Sequence, residues 1–335
     1  MGHNENWETQ MMMVRFKPWF LAVGLLPATM TAWAQTPKFT EPVTLTVGYV
    51  PGGASDNAAR IVARALAKEI GVPVIVENKP GGGGRIAAAD LKKTKKGANV
   101  LMLGNPAVTV IAPIVFSDLN YNPQADFKPV SLVTEYSFAL GVPASSKINS
   151  VEQFVQWAKA NPQQLNIGVP ATGSLPHFFG LMLADKLGVK PEIVGYKGSS
   201  QLLTDLAGAN IPVAIDTLDT FIPMAKSGKV KVLGVSSEKR DASLPDVAPF
   251  HEAGIDIRAI GWNAVFAPSS MDDEVVTYLG DAISKAMGDA TVQKEIRSVN
   301  LVPVQANAAQ TRKEIDAFRQ QWEPVVRDSG FKVGK

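Results

Sequence analysis

Residues 43–50 are β-branched, apolar or aromatic, with Gly48 the single interruption, and the run stops at Pro51-Gly52-Gly53. A short apolar run closed by Pro-Gly reads as a buried strand. Directly behind it, Ala58, Ile61, Val62, Ala65, Leu66 and Ile70 recur at helical spacing. Ser55 or Asp56 is available to cap the first turn, and Gly71 to end the last. Strand, glycine turn and helix in that order call for an α/β arrangement. They also create a chemical opportunity. The glycines leave backbone N–H groups unobstructed, and the positive end of the helix dipole favours an anion at the same point. A plain βα turn without a ligand has the same local signature, so this turn alone does not decide the matter.

A second turn of the same kind adds weight. Residues 165–169 read as a strand and Pro170-Ala171-Thr172-Gly173-Ser174 as its turn. A helix follows through Phe179, Leu183 and Leu187, with Pro176 in its first turn and Gly188 at its end. The serines and the closing glycines of the two units are separated by nearly the same length of chain. Identity between the units is weak, so the repetition is architectural. Elsewhere, strand-like runs at 72–76, 100–104, 130–142, 189–194, 213–215, 230–236, 257–267 and 301–304 alternate with helical ones at 86–93, 150–160, 200–207, 272–287, 292–299 and 311–327. That alternation predicts parallel sheets flanked by helices. Two such lobes would face each other across a cleft, where open α/β sheets bind ligands. A small dianion, or one carboxylate with a polar tail, would then be held from both sides.

The start of the chain reads as a targeting segment. Arg15 and Lys17 precede an apolar stretch at 19–28 that is too short to span a bilayer, and Ala32-Trp33-Ala34 is an A-x-A cleavage site. Residues 1–34 are therefore expected to be signal peptide plus an upstream extension before Met13, with cleavage after Ala34. Export of a chain with no cysteine points to a bacterial periplasm and to stability from core packing. A net charge of +2 in 335 residues gives no reason to expect nucleic acid or a membrane surface as partner. The histidines are His3, His177 and His251, too few to build a zinc site without cysteine. No metal, cofactor or catalytic residue is expected.

The two turns belong to a longer pattern. Tyr49-Val-Pro-Gly-Gly-Ala-Ser-Asp56 with Ala59-Arg60, then Val76-Glu-Asn-Lys-Pro-Gly81 with Gly83-Gly84, open it. Asp126-Phe-Lys-Pro-Val130, Gly173-Ser-Leu-Pro-His177, Tyr196-Lys-Gly198, Leu244-Pro-Asp-Val247 and Glu252-Ala-Gly254 continue it across nearly the whole mature chain. In order and spacing these motifs resemble the Bug-type solute-binding proteins of tripartite tricarboxylate transporters. The resemblance implies an α/β periplasmic-binding-protein fold of type II, a two-lobe Venus flytrap with a mainly parallel sheet and flanking helices in each lobe. It implies that the last part of the chain returns to the first lobe, giving lobe 1 as 35–137 plus 258–335 and lobe 2 as 138–257. It further implies a monomeric receptor for a small carboxylate, a di- or tricarboxylate, amino acid or aromatic acid, delivered to the membrane permease subunits of a tripartite transporter. A sensor feeding a signalling partner, or a secreted α/β hydrolase, are the other readings. The chain departs from the family at Lys96-Gly97-Ala98-Asn99 and at Leu175-Pro176, where the family commonly has Asp-Gly-aromatic-Thr and small polar residues.

The expected ligand-binding residues are Tyr49, Gly53, Ala54, Ser55, Asn105, Thr172, Gly173, Ser174, His177 and Asp216. Ser55 and Ser174 either donate hydroxyls to a carboxylate or only cap helices. His177 either touches the ligand or bonds within its own helix turn. Tyr49 and Asn105 end strands beside the expected cleft. Asp216 ends another and would bind a hydroxyl or amine, or pair with the first helix. Ser174 with His177 lacks the third group and the nucleophile-elbow pattern that catalysis would need. Residues 81–84 lack the Lys-Ser/Thr of a phosphate loop and read as a mobile rim.

Overall fold

Strand β1 (Val43–Val47) runs parallel to β2 (Val74–Asn78) on one side and β3 (Val100–Gly104) on the other, with helices α1 (Ala54–Ile70) and α2 (Arg85–Lys92) in the crossovers. This computed structural model of the chain describes Met1 and residues 39–332. The expected signal peptide and its cleavage point after Ala34 fall outside the described residues. A π-helical turn at Ala107–Ile111, α3 (Ala112–Val115) and α4 (Pro123–Asp126) lead into β4 (Phe127–Pro143). The pattern then repeats with α5 (Val151–Ala160), β5 (Asn166–Val169), α6 (Leu175–Leu187), β6 (Glu192–Gly195), α7 (Ser199–Ala207) and β7 (Val213–Thr217), in which β5 runs parallel to both β6 and β7. Next come α8 (Leu218–Lys226), β8 (Val230–Val235), β9 (Ile260–Pro268), α9 (Asp273–Met287), α10 (Ala290–Ser298), β10 (Val302–Pro303) and α11 (Ala308–Asp328).

Strand periodicity decides which helix lies on which face. In β3, Leu101 and Leu103 join the core formed with α1 and α9, whereas Met102 between them joins the core that contains Ala87, Ala88 and Leu91 of α2 and Phe318 of α11. In the second lobe, Ala139 and Ala214 pack with Leu202, Leu206 and Phe221 of α7 and α8, while Leu140 and Ile215 face the side of Phe179 on α6. Each sheet is thus covered on both faces, which is why its central strands are mainly apolar.

The lobes share one long strand. β4 pairs with β9 from Phe127 to Ser137, then with β7 from Phe138 onward and with β8 from Ala139. All of these pairings are antiparallel, as is that of β3 with β9. The parallel pairing expected from strand–helix alternation holds in β2-β1-β3 and β6-β5-β7. A chain that leaves one lobe on β4 and returns on the adjacent β9 must run in opposite directions, so the connecting strands are antiparallel. Ser236 pins the exchange point: its hydroxyl accepts from the Phe138 N–H at 2.8 Å and donates to the Ala259 carbonyl at 2.5 Å. Helix α11 lies over it, with Trp322 fully buried, stacked on Phe318 at 5.1 Å and edge-on to Phe138 at 5.6 Å.

Some local expectations are corrected. β2 runs to Asn78, past the end of the strand expected at 72–76. The glycine stretch at 81–84 is not a free rim along its whole length: Gly84 is buried, and a Cβ on Gly48 would lie 2.6 Å from the Gly84 Cα. The close approach of two backbones explains Gly48; Gly84 is required by its φ of +93° and by the Val108 side chain, 2.8 Å from where its Cβ would lie.

Candidate functional site

The first-lobe loop is built around a buried acid. Helix α1 begins at Ala54 with Gly53 as its N-cap in an extended conformation, and no side chain caps it. Ser55 and Asp56, expected as caps, do other things. Asp56 is 2 % exposed and its carboxylate accepts from the Gly52 N–H (2.9 Å), Arg60 Nε (2.9 Å) and Asn78 Nδ2 (2.8 Å). Burial pushes this carboxyl up, but the hydrogen bonds from Arg60, Gly52 and Asn78 outweigh it and hold the group below the usual carboxylate range. Asn78 also donates to the Tyr49 carbonyl at 3.1 Å, so one side chain fixes both ends of the turn. Among the described residues, the amides of Ala54 and Ser55 have no hydrogen-bond partner, which leaves them as donors at the positive end of a 17-residue helix.

Three further groups flank this loop. The Ser55 hydroxyl donates to Asn263 Oδ1 at 3.1 Å, and Asn263 Nδ2 donates to Thr134 Oγ1 at 2.9 Å. The loop is thereby tied to β9 and β4, the strands that run between the lobes. Tyr49 OH accepts from Asn105 Nδ2 at 2.8 Å and donates to the Gly83 carbonyl at 3.3 Å. Burial raises the Tyr49 phenol, an effect partly offset by the Asn105 hydrogen bond. Asn105 Oδ1 is buried with no partner among the described residues.

The second-lobe loop is organised by its own helix. Ser174 is the N-cap of α6 and accepts from the His177 N–H at 3.4 Å. The Gly173 N–H is donated to His177 Nδ1 at 2.9 Å, so that amide is engaged within the loop. His177 is 6 % exposed, and burial lowers its imidazole below the ordinary histidine value. The amides of Thr172 and Leu175 remain without partners among the described residues. Gly198 donates to the Pro170 carbonyl at 2.8 Å, which fixes the neighbouring turn against this one.

Asp216 lies opposite Ala139 in the crossing strand, 2 % exposed. Its Oδ1 accepts from the Thr217 N–H at 2.7 Å, while its Oδ2 has no partner among the described residues. Burial pushes the carboxyl up to about 7, against smaller lowering effects from Ser199, the Thr217 amide and Thr220. No hydrogen bond joins Asp216 to the loop at 171–177 or to helix α1 among the described residues.

The structure therefore joins Tyr49 with Asn105, gathers Gly53, Ala54 and Ser55 at one helix start, and gathers Thr172, Gly173, Ser174 and His177 at another. Sequence reasoning missed two residues beside these groups, Asn263 and Tyr136. Asn263 interrupts an otherwise apolar strand, a signal that was legible as a buried polar group in need of a partner. Tyr136 carried no such signal. Its ring occupies the space a side chain at Gly261 would need, and burial, then Tyr49 and Asp219, push its phenol up. A cavity of about 370 Å³ opens there, with Tyr136, Ser137, Ser237, Ile260 and Val302 in its wall.

Similarity to known proteins follows the same outline. The profile of the family described as "Tripartite tricarboxylate transporter family receptor" matches residues 58–331. A Cupriavidus necator protein, "UPF0065 protein in gbd 5'region", is 34 % identical over 290 residues, 86 % of this chain and 87 % of that one. Among solved structures, Rpa4515 of R. palustris with adipate superimposes with a TM-score of 0.78 at 28 % identity, covering 88 % of this chain and 98 % of the other. MatC of Rhodopseudomonas palustris with bound malate gives 0.72 at 27 % identity, covering 86 % and 99 %.

Proposed function

Because this chain belongs to the tripartite tricarboxylate transporter receptor family, a family of non-enzymatic solute-binding receptors, we propose that it captures a small carboxylate between its lobes and hands it to the permease subunits of such a transporter. It would do so in the periplasm, after removal of residues 1–34. Among the described residues no helix is long and apolar enough to cross a membrane. The lobes in this reading are 35–137 plus 258–335 and 138–257. The change of partners along β4 between Ser137 and Phe138 supports that division.

The observation that carries the proposal is the uncapped start of α1. A helix N-terminus ordinarily satisfies its first amides with a side chain. Here Ser55 and Asp56 are both diverted elsewhere, and the Ala54 and Ser55 amides stay available for an anion. On the opposite lobe the Thr172 and Leu175 amides offer the same chemistry beside a side-chain cap. Asn105 fits the scheme once its amide is turned over. Tyr49 OH would then donate to Oδ1 in place of the longer bond to the Gly83 carbonyl, and Nδ2 would offer its donors to a carboxylate in place of the buried unpartnered oxygen. The adipate and malate bound by the two similar structures support a carboxylate as the ligand class. Asp216, whose buried carboxyl is pushed up to about 7 and is therefore about half protonated at neutral pH, suits a hydroxyl or amine on such a ligand better than a second carboxylate.

Isothermal calorimetry against malate, adipate, citrate, acidic amino acids and aromatic acids tests the proposal. Saturable binding of at least one carboxylate is expected. It should weaken in the Ser55→Ala/Ser174→Ala double variant. A protein that binds none of them refutes the proposal; a double variant that binds as tightly as the parent removes the serine hydroxyls from the site and leaves the backbone amides to hold the ligand.

A further inference from the structure

Phe331 lies outside the expected site residues, yet it touches the second-lobe loop. Beyond α11, Gly330 adopts φ +64° and the Phe331 ring comes to rest edge-on against His177 at 5.4 Å and Phe178 at 5.9 Å. The same ring covers Gly173, where a Cβ would sit 2.7 Å from a Phe331 ring carbon. On its other side the imidazole stacks on Phe178 at 5.0 Å. His177 is thus walled by two aromatic rings while its Nδ1 holds the Gly173 N–H. That bond exists only while Nδ1 carries no proton. Burial is the single cause that lowers the imidazole, so no charged neighbour sets its state. Of the charged groups on the packed elements, Lys332 points its ammonium at the Ile114 carbonyl 3.0 Å away, and Asp185, Lys186 and Asp328 line a separate cavity between α6 and α11.

We propose that Phe331 is a positioning residue for the second-lobe ligand loop: its ring shuts water away from His177, so the imidazole stays an acceptor and keeps the Gly173 N–H turned inward. The loop then presents the Thr172 and Leu175 amides in one fixed arrangement. This rests on the reading of 171–177 as one jaw of the binding site. Its core, the coupling of Phe331 to His177 and Gly173, is measurable without any ligand. The chemistry is a seal on a neutral acceptor. Opened to water, His177 protonates nearer its ordinary value of 6.5, and a protonated Nδ1 repels the amide it had held.

The test is an NMR titration of the full chain and of its Phe331→Ala and Phe331→Tyr variants. Phe331→Ala is expected to raise the His177 midpoint by about half a unit or more and to speed hydrogen exchange at Gly173 as the pH falls. Phe331→Tyr should behave like the parent. Calorimetry with malate and adipate between about pH 5.5 and about pH 8 forms the second arm. There Phe331→Ala should lose affinity several-fold more steeply towards acid than the parent. An unchanged His177 midpoint in folded Phe331→Ala overturns the inference. So does a shifted midpoint that leaves the pH profile of binding unaltered, since the contact would then be only structural. If the parent binds neither compound, the ligand reading of the loop loses its support, and the titration alone decides whether Phe331 governs His177.

Discussion

Asp56 and Asp216 are equally buried and titrate in opposite directions, because one has three donors around it and the other has an oxygen with none. The folded value of Asp56 lies below its unfolded value, so its contribution to stability is complete above the ordinary carboxylate range and is lost as pH falls through the folded value. Asp56→Ala should cost about 2–4 kcal/mol at neutral pH, since Gly52 and Asn78 lose their acceptor. The gap from the parent should narrow by pH ~3 in urea titrations; an equal gap at both pH values would contradict the role assigned to the carboxylate. Asp216 works the other way. Its folded value is about 7, well above 3.8, so the native state binds the extra proton and stability declines as pH rises from about 4 to about 7. Asp216→Asn keeps an acceptor for the Thr217 amide and removes that decline. Its melting temperature should exceed the parent's by a few degrees at pH ~8 and by much less at pH ~4, as read by calorimetric scans. The sequence marked both acids, but not their states. Burial and partner count come from residues far along the chain, such as Asn78 for Asp56 and Ser199 for Asp216.

At the level of elements, periodicity located nearly every strand and helix, because alternating and helical burial patterns are local properties of the sequence. Caps were less legible. Ser150 and Ser174 cap α5 and α6 as their spacing suggests, each accepting from the third residue onward, and Gly71 and Gly188 close their helices in the left-handed conformation. Ser55 looks the same in sequence and does not cap, because α1 already starts at Ala54 with Gly53 as N-cap; its hydroxyl goes instead to Asn263, more than two hundred residues later. The antiparallel strands were hidden because the direction of β9 relative to β4 depends on the return of the chain from the second lobe. The packing of β1 against the glycine stretch makes a sharper claim. Gly48→Ala would put a Cβ 2.6 Å from the Gly84 backbone, and backbone cannot swing aside as a side chain can. The substitution should destabilise by about 1–3 kcal/mol and loosen the Tyr49–Asn105 pair, measured by urea unfolding and by tyrosine fluorescence. A variant as stable as the parent would show that the two segments separate freely.

For the molecule as a whole, β4 and β9 carry the chain between lobes, and Ser236, Phe138 and Trp322 lock the point where partners change. The first-lobe loop is fastened to these same strands through Ser55, Asn263 and Thr134. A ligand held at that loop, as proposed, would sit two hydrogen bonds from β4. The whole account depends on free backbone amides at the start of α1. Ala54 is the first residue of that helix, and Gly53 before it is already extended, so proline fits there without breaking the helix while deleting one N–H. Calorimetric titration of a bound carboxylate into Ala54→Pro and Ala54→Gly is the most direct measurement. Ala54→Pro should weaken binding about 10–100-fold with little change in melting temperature, and Ala54→Gly should bind within about threefold of the parent. Binding by Ala54→Pro as tight as the parent's would contradict the account.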